Sequence, residues 1–485
     1  MKYAHLGRSL TISLTVFLLL LAVDGTSHSS RAHGDSYLSL AQAWDKLEVE
    51  NDAIKAAQAE VQQAEHQQKG AKALRLPSVS LSAGYLYLDD DVQLSPQDLF
   101  DSMEAGGQAS QLFGSLAASY GLSPAELNSG LTSTIAERSN IRSSLAATWP
   151  IFTGGRINAA QEIAAASVSE GRQDLRLESL IQFEHLVKYY FGAVLAEQVL
   201  ETRKAVEAAL KKHMDHAVLL EQQGQIAKVE RMQSEVSFDK AVVDRKKAQR
   251  DLEIARVALT KILKSPAPVI PTDKLFLADS LPDIEHFVSD TLANYPGLDL
   301  LDAKKKQAQG VARMEKGKFF PTVSLFGNYS IYEEDDLSSK LAPDWLVGVG
   351  VNVPLVDRSG RGGKLHAAKS AANRIDHLHS QAESDLSVLV DKTYRQVLQA
   401  LEEFEGLRSS RKLAEETLQL RVKAFSQGLS TSLDVVDAEL FLARVKTQRA
   451  AAVHSYVIGL ARLLAVSDRP EEFFTYQNNK GIEER

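Results

Sequence analysis

Apolar and polar residues alternate along four stretches of the chain, and a period of two residues predicts β-strands with one apolar face. In the clearest stretch, "WLVGVGVNV", every second residue from Trp345 to Val353 is apolar, and glycine and asparagine occur between them. The same alternation places strands at about residues 76–88, 141–152, 320–332 and 344–355. One face of the resulting sheet is apolar, and the other carries small or polar residues.

Each predicted strand has a proline at the end that adjoins helical sequence. Proline cannot donate a hydrogen bond to a strand ladder, so it belongs at the end of a strand. We interpret four prolines as the junction between sheet and helices: Pro77, Pro150, Pro321 and Pro354.

Outside the strands, apolar residues recur every three to four positions with charged residues on the other faces, which predicts helices packed as coiled coils. Two of these helices, at about 156–223 and 360–427, would each be about 100 Å long at about 1.5 Å per residue. Two shorter tracts, at about 227–264 and 284–316, have together about the same length and could stack end to end beside a long helix.

The spacing of proline and glycine indicates that one unit occurs twice. Pro150 and Gly224 are 74 positions apart, and so are Pro354 and Gly428. We interpret the chain as a tandem duplication in which each half has the order helix, strand, strand, long helix, turn and helix. The predicted boundaries are a first repeat at 34–264, a proline-rich linker at 265–283, a second repeat at 284–466 and a C-terminal tail at 467–485.

The connections between the two strands of each half differ in length. In the first half, residues 88–140 are expected to form a surface lid or an ordered loop with some helix. In the second half, residues 333–342 form a short and acidic connection.

The first 33 residues have the layout of a secretory signal peptide and the start of the mature chain. Lys2 and Arg8 precede a 15-residue apolar run, and a polar stretch rich in glycine, serine and histidine follows. The run is too short for a membrane-spanning helix, which needs roughly 20 apolar residues, so we expect the chain to be exported. No other uninterrupted apolar run reaches membrane length, so if the chain enters a membrane it cannot do so by helices.

Composition and motifs narrow the function further. The chain contains no cysteine, and its net charge of −8 gives no basic surface for nucleic acid. No G-x-S-x-G elbow, cysteine nucleophile or zinc-protease motif occurs, so we expect no enzyme and no cofactor. His213 and His216 lie three positions apart on a helix, but a third ligand is missing, and we interpret them as solvated side chains rather than a metal site.

Four strands cannot close a barrel, and lipid does not tolerate open strand edges. If these strands cross a membrane, several copies of the chain must share one barrel. Two copies would supply eight strands, whose interior is filled by side chains, so a wide passage needs at least three copies. Aromatic residues that flank the strands favour this interpretation over a half-buried sheet in a soluble domain.

These residues resemble a known family, the bacterial outer-membrane efflux proteins typified by TolC. The resemblance covers about residues 37–466 and rests on the duplicated order, on "WPIFTGGR" after a strand, and on "GLSTSLDVVDAE" at the second helical turn. It implies a mainly α protein with a β-barrel part, in which a homotrimer forms a twelve-stranded barrel in the outer membrane. Long antiparallel helices would continue it as a periplasmic α-barrel. The implied partners are a periplasmic adaptor, an inner-membrane pump and outer-membrane lipid.

Two carboxylates, Asp434 and Asp437, follow the second turn on an otherwise apolar helix seam. Thr431 and Asp434 have the spacing of a capping box, whereas Asp437 lies one turn further in, where capping does not explain it. Three copies of both acids around one axis would form a ring that favours cations. The resemblance implies that these are the acids of the periplasmic gate, with Glu230 as their counterpart in the first half.

The resemblance also implies a tyrosine and an arginine that hold the gate shut, but the equivalent positions here are Phe425 and Ser430. Both replacements remove polar bonding capacity, so we expect an altered lock. Glycine permits the sharp reversal between antiparallel helices. The resemblance implies that the adaptor docks at the two turns, through Gly224, Gln225, Gly428 and Leu429.

The sequence therefore favours an outer-membrane exit duct of a tripartite efflux pump or a type I secretion system. The alternative is a soluble periplasmic coiled-coil scaffold or adaptor, in which the strands form a small packed domain. An exported hydrolase is disfavoured because a nucleophile and metal-ligand spacing are missing.

Overall fold

The computed structural model describes residues 36–333, 339–340 and 342–479. The predicted signal peptide lies outside the described residues, and so does part of the acidic connection in the second half. The first half contains β1 (Ser36–Leu38), α1 (Leu40–Glu50), α2 (Asp52–Ala73), β2 (Ser78–Tyr87), β3 (Val92–Leu94), α3 (Pro96–Asp101), α4 (Gly106–Ser119), α5 (Pro124–Leu131), β4 (Ser133–Ala136), β5 (Ser139–Phe152), α6 (Arg156–Gln222) and α7 (Lys228–Ile262). The second half contains β6 (Val269–Pro271), α8 (Ile284–Asn294), α9 (Pro296–Gly317), β7 (Thr322–Glu333), β8 (Trp345–Asn352), α10 (Arg361–Ser426), α11 (Ser432–Val466) and α12 (Glu472–Asn478).

One antiparallel sheet contains the four long strands in the order β2-β5-β7-β8. Its register brings the alternating apolar residues onto one face, because Leu81 pairs with Leu145, Leu145 with Tyr329, and Tyr329 with Trp345. Within the described residues no helix covers this face, and Leu81 and Trp345 are 68% and 65% exposed. The strands β2 and β8 are the free edges of the sheet.

The prolines at the sheet–helix junction do not all lie outside their strands. Pro77 and Pro321 directly precede β2 and β7, and Pro354 follows β8. Pro150 lies inside β5, two residues before the strand ends, and the strand predicted at 141–152 has it at the same place. The register shifts between Pro150 and Phe152, and such an irregularity accommodates a residue that has no N–H to donate.

The two long helices, α6 and α10, have 67 and 66 residues. Helices α2 and α7 pack along α6, whereas α9 and α11 pack between α6 and α10. The single tract predicted at 284–316 is divided into α8 and α9. Tyr295 has an extended backbone (ψ 119°) because the following residue, Pro296, disfavours the helical conformation before it.

The short helices stack in a different order from the predicted one. An ion pair between Lys264 and Asp52 joins the end of α7 to the start of α2. The Thr291 and Ser467 hydroxyls, 3.3 Å apart, join α8 to the end of α11. Each of these contacts therefore joins helices of the same half, α7 with α2 and α8 with α11, rather than α7 with α9.

The largest hydrophobic core lies at the middle of α6. Phe183, Tyr190 and Phe191 of α6 pack there with Tyr456 of α11 and Phe473 of α12. The Tyr190 hydroxyl donates to the Leu38 carbonyl at 2.8 Å and accepts from the Thr272 amide at 3.1 Å. It thereby fixes the parallel pair β1–β6, and part of the proline-rich linker joins the core.

Among the described residues, one helix is long and apolar enough to cross a membrane, namely α11, with a mean hydropathy of 1.3 over its most apolar window. Because 67% of that window is buried inside the protein, α11 is a core helix.

The strand-to-helix turn of the first half lies in close contact with α9. Gly154 has a φ of +64°, and a Cβ on this residue would lie 2.3 Å from the Gly317 carbonyl oxygen. In the second half Gly360 has a similar φ of +66°, but a Cβ there would meet nothing within 4 Å. The left-handed backbone favours glycine at both positions, whereas the close contact with α9 excludes a side chain only at Gly154.

We expect Gly154→Ala to lower the midpoint of thermal unfolding, measured by circular dichroism in detergent, more than Gly360→Ala does. Both changes impose the left-handed backbone on alanine, at a cost of roughly 1–2 kcal/mol. Only Gly154→Ala adds a collision with the α9 backbone. Equal midpoints for the two variants would contradict the contact between the turn and α9.

Candidate functional site

At the end of the long helices that is remote from the sheet, each helical pair reverses at a glycine. Gly224 and Gly428 have φ values of +69° and +67°, which glycine adopts without steric penalty. Both turns close with the same Schellman hydrogen bond, 2.9 Å long, from the residue after the glycine to the carbonyl five residues earlier. We call residues 206–241 and 421–443 together the helical tip.

Asp434 is held by several donors in the first turn of α11. Its Oδ2 atom accepts from the Thr431 amide at 2.9 Å, the Thr431 hydroxyl at 2.7 Å and the Ser430 hydroxyl at 3.1 Å. The Asp434 amide donates back to Thr431, which completes the expected capping box. Hydrogen bonds from Thr431 and Ser430, together with Arg421, hold the pKa of Asp434 below its usual value. The carboxylate is therefore ionised and fixed in position.

Asp437 has a different environment from Asp434. It is exposed on α11, and it makes no hydrogen bond or ion pair with any residue that the structure describes. Its carboxylate is consequently free to interact with ions or with another copy of the chain.

Glu230 bridges the two helical pairs of the tip. It lies in the first turn of α7, and its Oε2 atom accepts from the Ser432 amide of α11 at 2.7 Å. That amide is one of the unpaired donors at a helix N-terminus, where a negative charge also interacts favourably with the helix dipole. The acid that sequence assigns to the gate in the first half is therefore engaged inside the chain.

His213 joins the same contact, and its prediction as a solvated side chain is wrong. It is 7% exposed, its Nε2 atom lies 2.7 Å from the Ser432 hydroxyl, and its ring centroid lies 4.5 Å from that of Phe425. Burial and the neighbouring His216 lower the pKa of His213 to about 4, although Glu230 opposes this shift. The ring is therefore neutral at neutral pH.

Helical spacing could have identified His213 as a buried residue. It occupies one position of a seam in which steps of four and three residues alternate, which is coiled-coil spacing. A polar side chain in such a seam requires a partner because its burial is otherwise unfavourable. The seam consists of Val206, Leu210, His213, Ala217 and Leu220.

A cavity of about 300 Å³ adjoins this contact and is lined by residues that include Leu210, His213, His216, Phe425 and Glu439. Burial raises the pKa of Glu439, and Lys446 acts in the opposite direction. Within the ranges that the structure describes, no group of three or more potential ligands is placed to hold a metal ion.

The helical tip thus combines the unpaired Asp437 carboxylate, the fixed Asp434 carboxylate and a buried polar contact between two helical pairs. Phe425 does not leave a polar gap, because it is buried against His213, and Ser430 binds Asp434. The turn residues Gly224, Gln225, Gly428 and Leu429 are all exposed.

Comparison with known proteins places this geometry in context. The chain is similar to nodulation protein T of Rhizobium leguminosarum bv. trifolii, with 27% identity over 37% of the chain and 38% of the relative. It is similar to the alkaline protease secretion protein AprF of Pseudomonas aeruginosa, with 22% identity over 62% of the chain and 64% of the relative. The matches thus span about two fifths and just under two thirds of these curated relatives.

The fold is shared with the crystal structure of CusC, at a TM-score of 0.72 and 15% identity, over 88% of this chain and 92% of that one. The sequence profile described as outer membrane efflux protein matches residues 43–264 and 287–467, which cover both halves. The resemblance noted from the motifs is thereby confirmed, and the chain belongs to the outer membrane efflux protein family, whose members are non-enzymatic transport proteins of the bacterial outer membrane.

Proposed function

We propose that the protein is the outer-membrane exit duct of a tripartite efflux pump or a type I secretion system. The observation that carries the proposal is the four-stranded sheet, whose apolar face is uncovered and whose edges β2 and β8 are unpaired. A soluble scaffold would cover such a face. The chain is similar to AprF, a protease secretion protein. We therefore include protein secretion, together with drug efflux, among the processes that the duct could serve.

Three copies of the chain form the duct. Pairing β8 of one copy with β2 of the next continues the antiparallel alternation and closes twelve strands, which leaves no edge in lipid. Three copies are the smallest number that gives an interior wider than a barrel filled by side chains. Pro77, Pro150, Pro321 and Pro354 then mark the level at which the barrel meets the periplasmic helices.

The helices at the two lateral edges of one copy support the same closure. Helix α7 packs on α6, α6 on α11, and α11 on α10, so α7 and α10 are the outer members of this series. Each has a buried face toward its neighbour and exposed apolar residues on the opposite side. We call the exposed apolar residues the lateral seams: on α7 they are Val229, Met232, Val236, Val243, Ile254 and Val257, and on α10 they are Val388, Leu413 and Leu420.

The α7 seam is 50–68% exposed, which is a large apolar surface to leave in water. Its positions recur at steps of three, four, seven and eleven residues, so they lie on one side of the helix. The seam of α7 in one copy therefore packs against the seam of α10 in the next, and the helices close into a barrel below the sheet.

The gate lies at the helical tip and consists of Asp434 and Asp437 from each copy. Asp437 supplies the accessible charge, because its carboxylate has no partner within the described chain. Asp434 supplies a second, fixed charge, one helical turn nearer to the chain reversal at Gly428. Glu230 contributes indirectly, since its carboxylate binds the Ser432 amide and so positions α11.

The lock of each copy is the buried contact of His213, Ser432 and Glu230. It holds the α6–α7 pair against the α10–α11 pair. The tyrosine and arginine that the family resemblance implies for this role are replaced here by Phe425 and Ser430. Gly224, Gln225, Gly428 and Leu429 form the docking surface for a periplasmic adaptor, which connects the duct to an inner-membrane pump. Leu429 is 78% exposed, as a docking residue must be.

Reconstituted in planar bilayers, the protein is expected to conduct ions with a preference for cations, and Asp437→Asn should lower the cation-to-anion permeability ratio at least about two-fold. Asp434→Asn removes the same charge from the other gate residue and should also lower the ratio. Unlike Asp437→Asn, it should in addition weaken the tip, because Asp434 is the acidic partner in the capping box of Thr431. Absence of channel activity would contradict the proposed function, and an unchanged ratio in Asp437→Asn would contradict its role in the gate.

A charge in the lateral seam should prevent closure of the helices. Val236→Asp is expected to lower the fraction of trimer in detergent at least about ten-fold, because unpaired carboxylates would be buried between copies. Gln233→Asp adds the same charge at an exposed polar position of α7 and should leave the trimer intact. Native mass spectrometry measures both, and an unaffected trimer in Val236→Asp would exclude the seam as an interface.

Acid should weaken the lock through His213. Its pKa is lower in the folded than in the unfolded protein, so the unfolded state binds more protons as the pH falls below about 6.5. Stability of the tip should therefore fall progressively between about pH 6.5 and pH 4 and level off below. The rate of limited proteolysis at the tip measures this loss of stability. In His213→Gln that rate should depend less on pH, whereas His216→Gln, which changes an exposed neighbour, should preserve most of the pH dependence. The same pH dependence in both variants would contradict the lock.

A further inference from the structure

The two halves of the chain are related by constant shifts in residue number. Helices α8 and α9 have the same lengths as α1 and α2 and begin 244 positions after them. In the β-hairpins, Ser78 pairs with Thr148, and Thr322 pairs with Asn352. The first strands therefore differ by 244 positions and the second strands by 204. We call two residues that are related by these shifts equivalents.

The shift of 204 positions also relates the long helices α6 and α10. It separates their turn glycines, Gly224 and Gly428. Equivalent residues therefore occupy equivalent faces of the two helices, and both members of several equivalent pairs are buried: Gly171 and Ile375, Leu186 and Val390, Ala193 and Val397, and Leu200 and Phe404.

Helices α6 and α9 form a contact between the first half and the second. In this contact Glu170 of α6 lies between two side chains of α9. The Lys304 Nζ atom is 3.4 Å from the Glu170 carboxylate, and the Gln307 side-chain amide donates to that carboxylate. The contact is also tight, because a Cβ on Gly310 of α9 would lie 2.5 Å from the Ile163 side chain of α6.

The equivalent contact is not made within one chain. It would join α10, the equivalent of α6, to α2, the equivalent of α9. These two helices lie at opposite ends of the series α2, α6, α9 and α10, in which each helix packs on the next. A second copy placed beyond either end continues the series, so that α10 of one copy meets α2 of the next.

At this second contact the charges are exchanged. The equivalents of Glu170 and Lys304 are Arg374 and Glu60, so an acid faces a base in both contacts. Arg374 and Glu60 are exposed, and neither makes a hydrogen bond or ion pair with any residue that the structure describes. Gln63 is the equivalent of Gln307, and its amide oxygen can accept from Arg374 as well.

Side-chain size is exchanged in the same way. The equivalents of Gly310 and Ile163 are His66 and Ala367, which are both exposed within one chain. The larger side chain thus belongs to the other helix, and a small residue still faces it. This exchange keeps the contact close without a collision.

The other ion pairs of the α6–α9 contact are not repeated. Glu162 and Arg176 of α6 form them, and the equivalents of these residues are His366 and Ser380. The electrostatic attraction of the second contact therefore depends on Arg374.

Glu60 lies in an acidic environment. With Gln63 and Glu170 it lines a cavity of about 210 Å³ between α2 and α6. Burial, Glu170 and Glu60 raise the pKa of the nearby Asp174, whereas Lys304 lowers it. A guanidinium from another copy would offset this negative charge, and its planar fork can bind a carboxylate and an amide oxygen together.

We propose that the interface between neighbouring copies repeats the contact between the two halves, with Arg374 of one copy bound to Glu60 and Gln63 of the next. This inference rests on the proposed trimeric duct. It names the residues by which α10 recognises its partner helix in the neighbouring copy.

The exchange of charge also selects which half packs on which. If α6 of one copy packed on α2 of another, Glu170 would face Glu60. If α10 packed on α9 of another copy, Arg374 would face Lys304. Repulsion between like charges disfavours both arrangements, so the second half of one copy accepts the first half of the next.

Arg374→Glu should lower the fraction of trimer in detergent, measured by native mass spectrometry, at least about five-fold, because three exposed ion pairs are lost at once. Adding Glu60→Lys to the same chain should restore the trimer, since the pair then has the charges of Glu170 and Lys304. Lys369→Glu is the matched control on α10. Its equivalent, Ala165, stays exposed beside α9, so this change should have little effect.

The strands provide a second measurement of the repeat. Leu145 of β5 pairs with Tyr329 of β7, and their equivalents are Val349 of β8 and Tyr85 of β2. The chain contains no cysteine, so Val349→Cys combined with Tyr85→Cys should link neighbouring copies on oxidation. The yield should be at least about five times that of Val349→Cys with Leu81→Cys, whose thiols would lie four residues out of register.

A trimer that tolerates Arg374→Glu, or that Glu60→Lys fails to restore, would overturn the ion pair and leave the duct intact. No excess of linkage in the Tyr85→Cys variant would overturn the repeat in the barrel. If the wild-type protein is monomeric, the proposed function itself fails, and this inference fails with it.

Discussion

The unpaired backbone N–H and C=O groups along β2 and β8 determine how this chain can exist in a membrane. Lipid offers these groups no hydrogen-bond partner, and each unsatisfied group would cost several kcal/mol. The four strands of one copy cannot satisfy them, because the order β2-β5-β7-β8 leaves both ends open. Association with further copies is therefore a condition for insertion and not an addition to a finished fold.

The helices extend the same requirement into water, where the hydrophobic effect replaces the loss of hydrogen bonds as the driving force. Helices α7 and α10 are apolar on two opposite sides, and a helix with two apolar sides needs two neighbours. Within each copy the two helical pairs of the tip are joined by the polar contact of His213, Ser432 and Glu230, and also by apolar side chains that include Leu220, Phe425 and Val435.

Much of the fold could be predicted because two periodicities, of two residues and of three to four, are clear in the sequence. The alternation around Trp345 gave strand β8, and the register with Tyr329 then placed both on one face. The break at Tyr295 could have been predicted from Pro296, but the helical period continues across it. The register shift beside Pro150 could not be predicted, because it depends on the partner strand β7.

At the tip, local spacing identified the Thr431–Asp434 capping box but could not locate the partner of Glu230. That partner, Ser432, lies 202 positions away, and only the packing of α7 beside α11 brings the two together. His213 shows the opposite case, since its place in an apolar seam was present in the sequence and indicated burial.

The identical Schellman closures at Gly224 and Gly428 bear on how the protein arose. One half supplies two strands and one helical hairpin, so six half-length chains would assemble the same ring as three complete ones. An ancestral hexamer of that kind would have carried every side chain six times around its axis. In the proposed trimer, by contrast, Asp437 and the long connection between β2 and β5 occur on alternate hairpins only, because the two halves of one chain differ there.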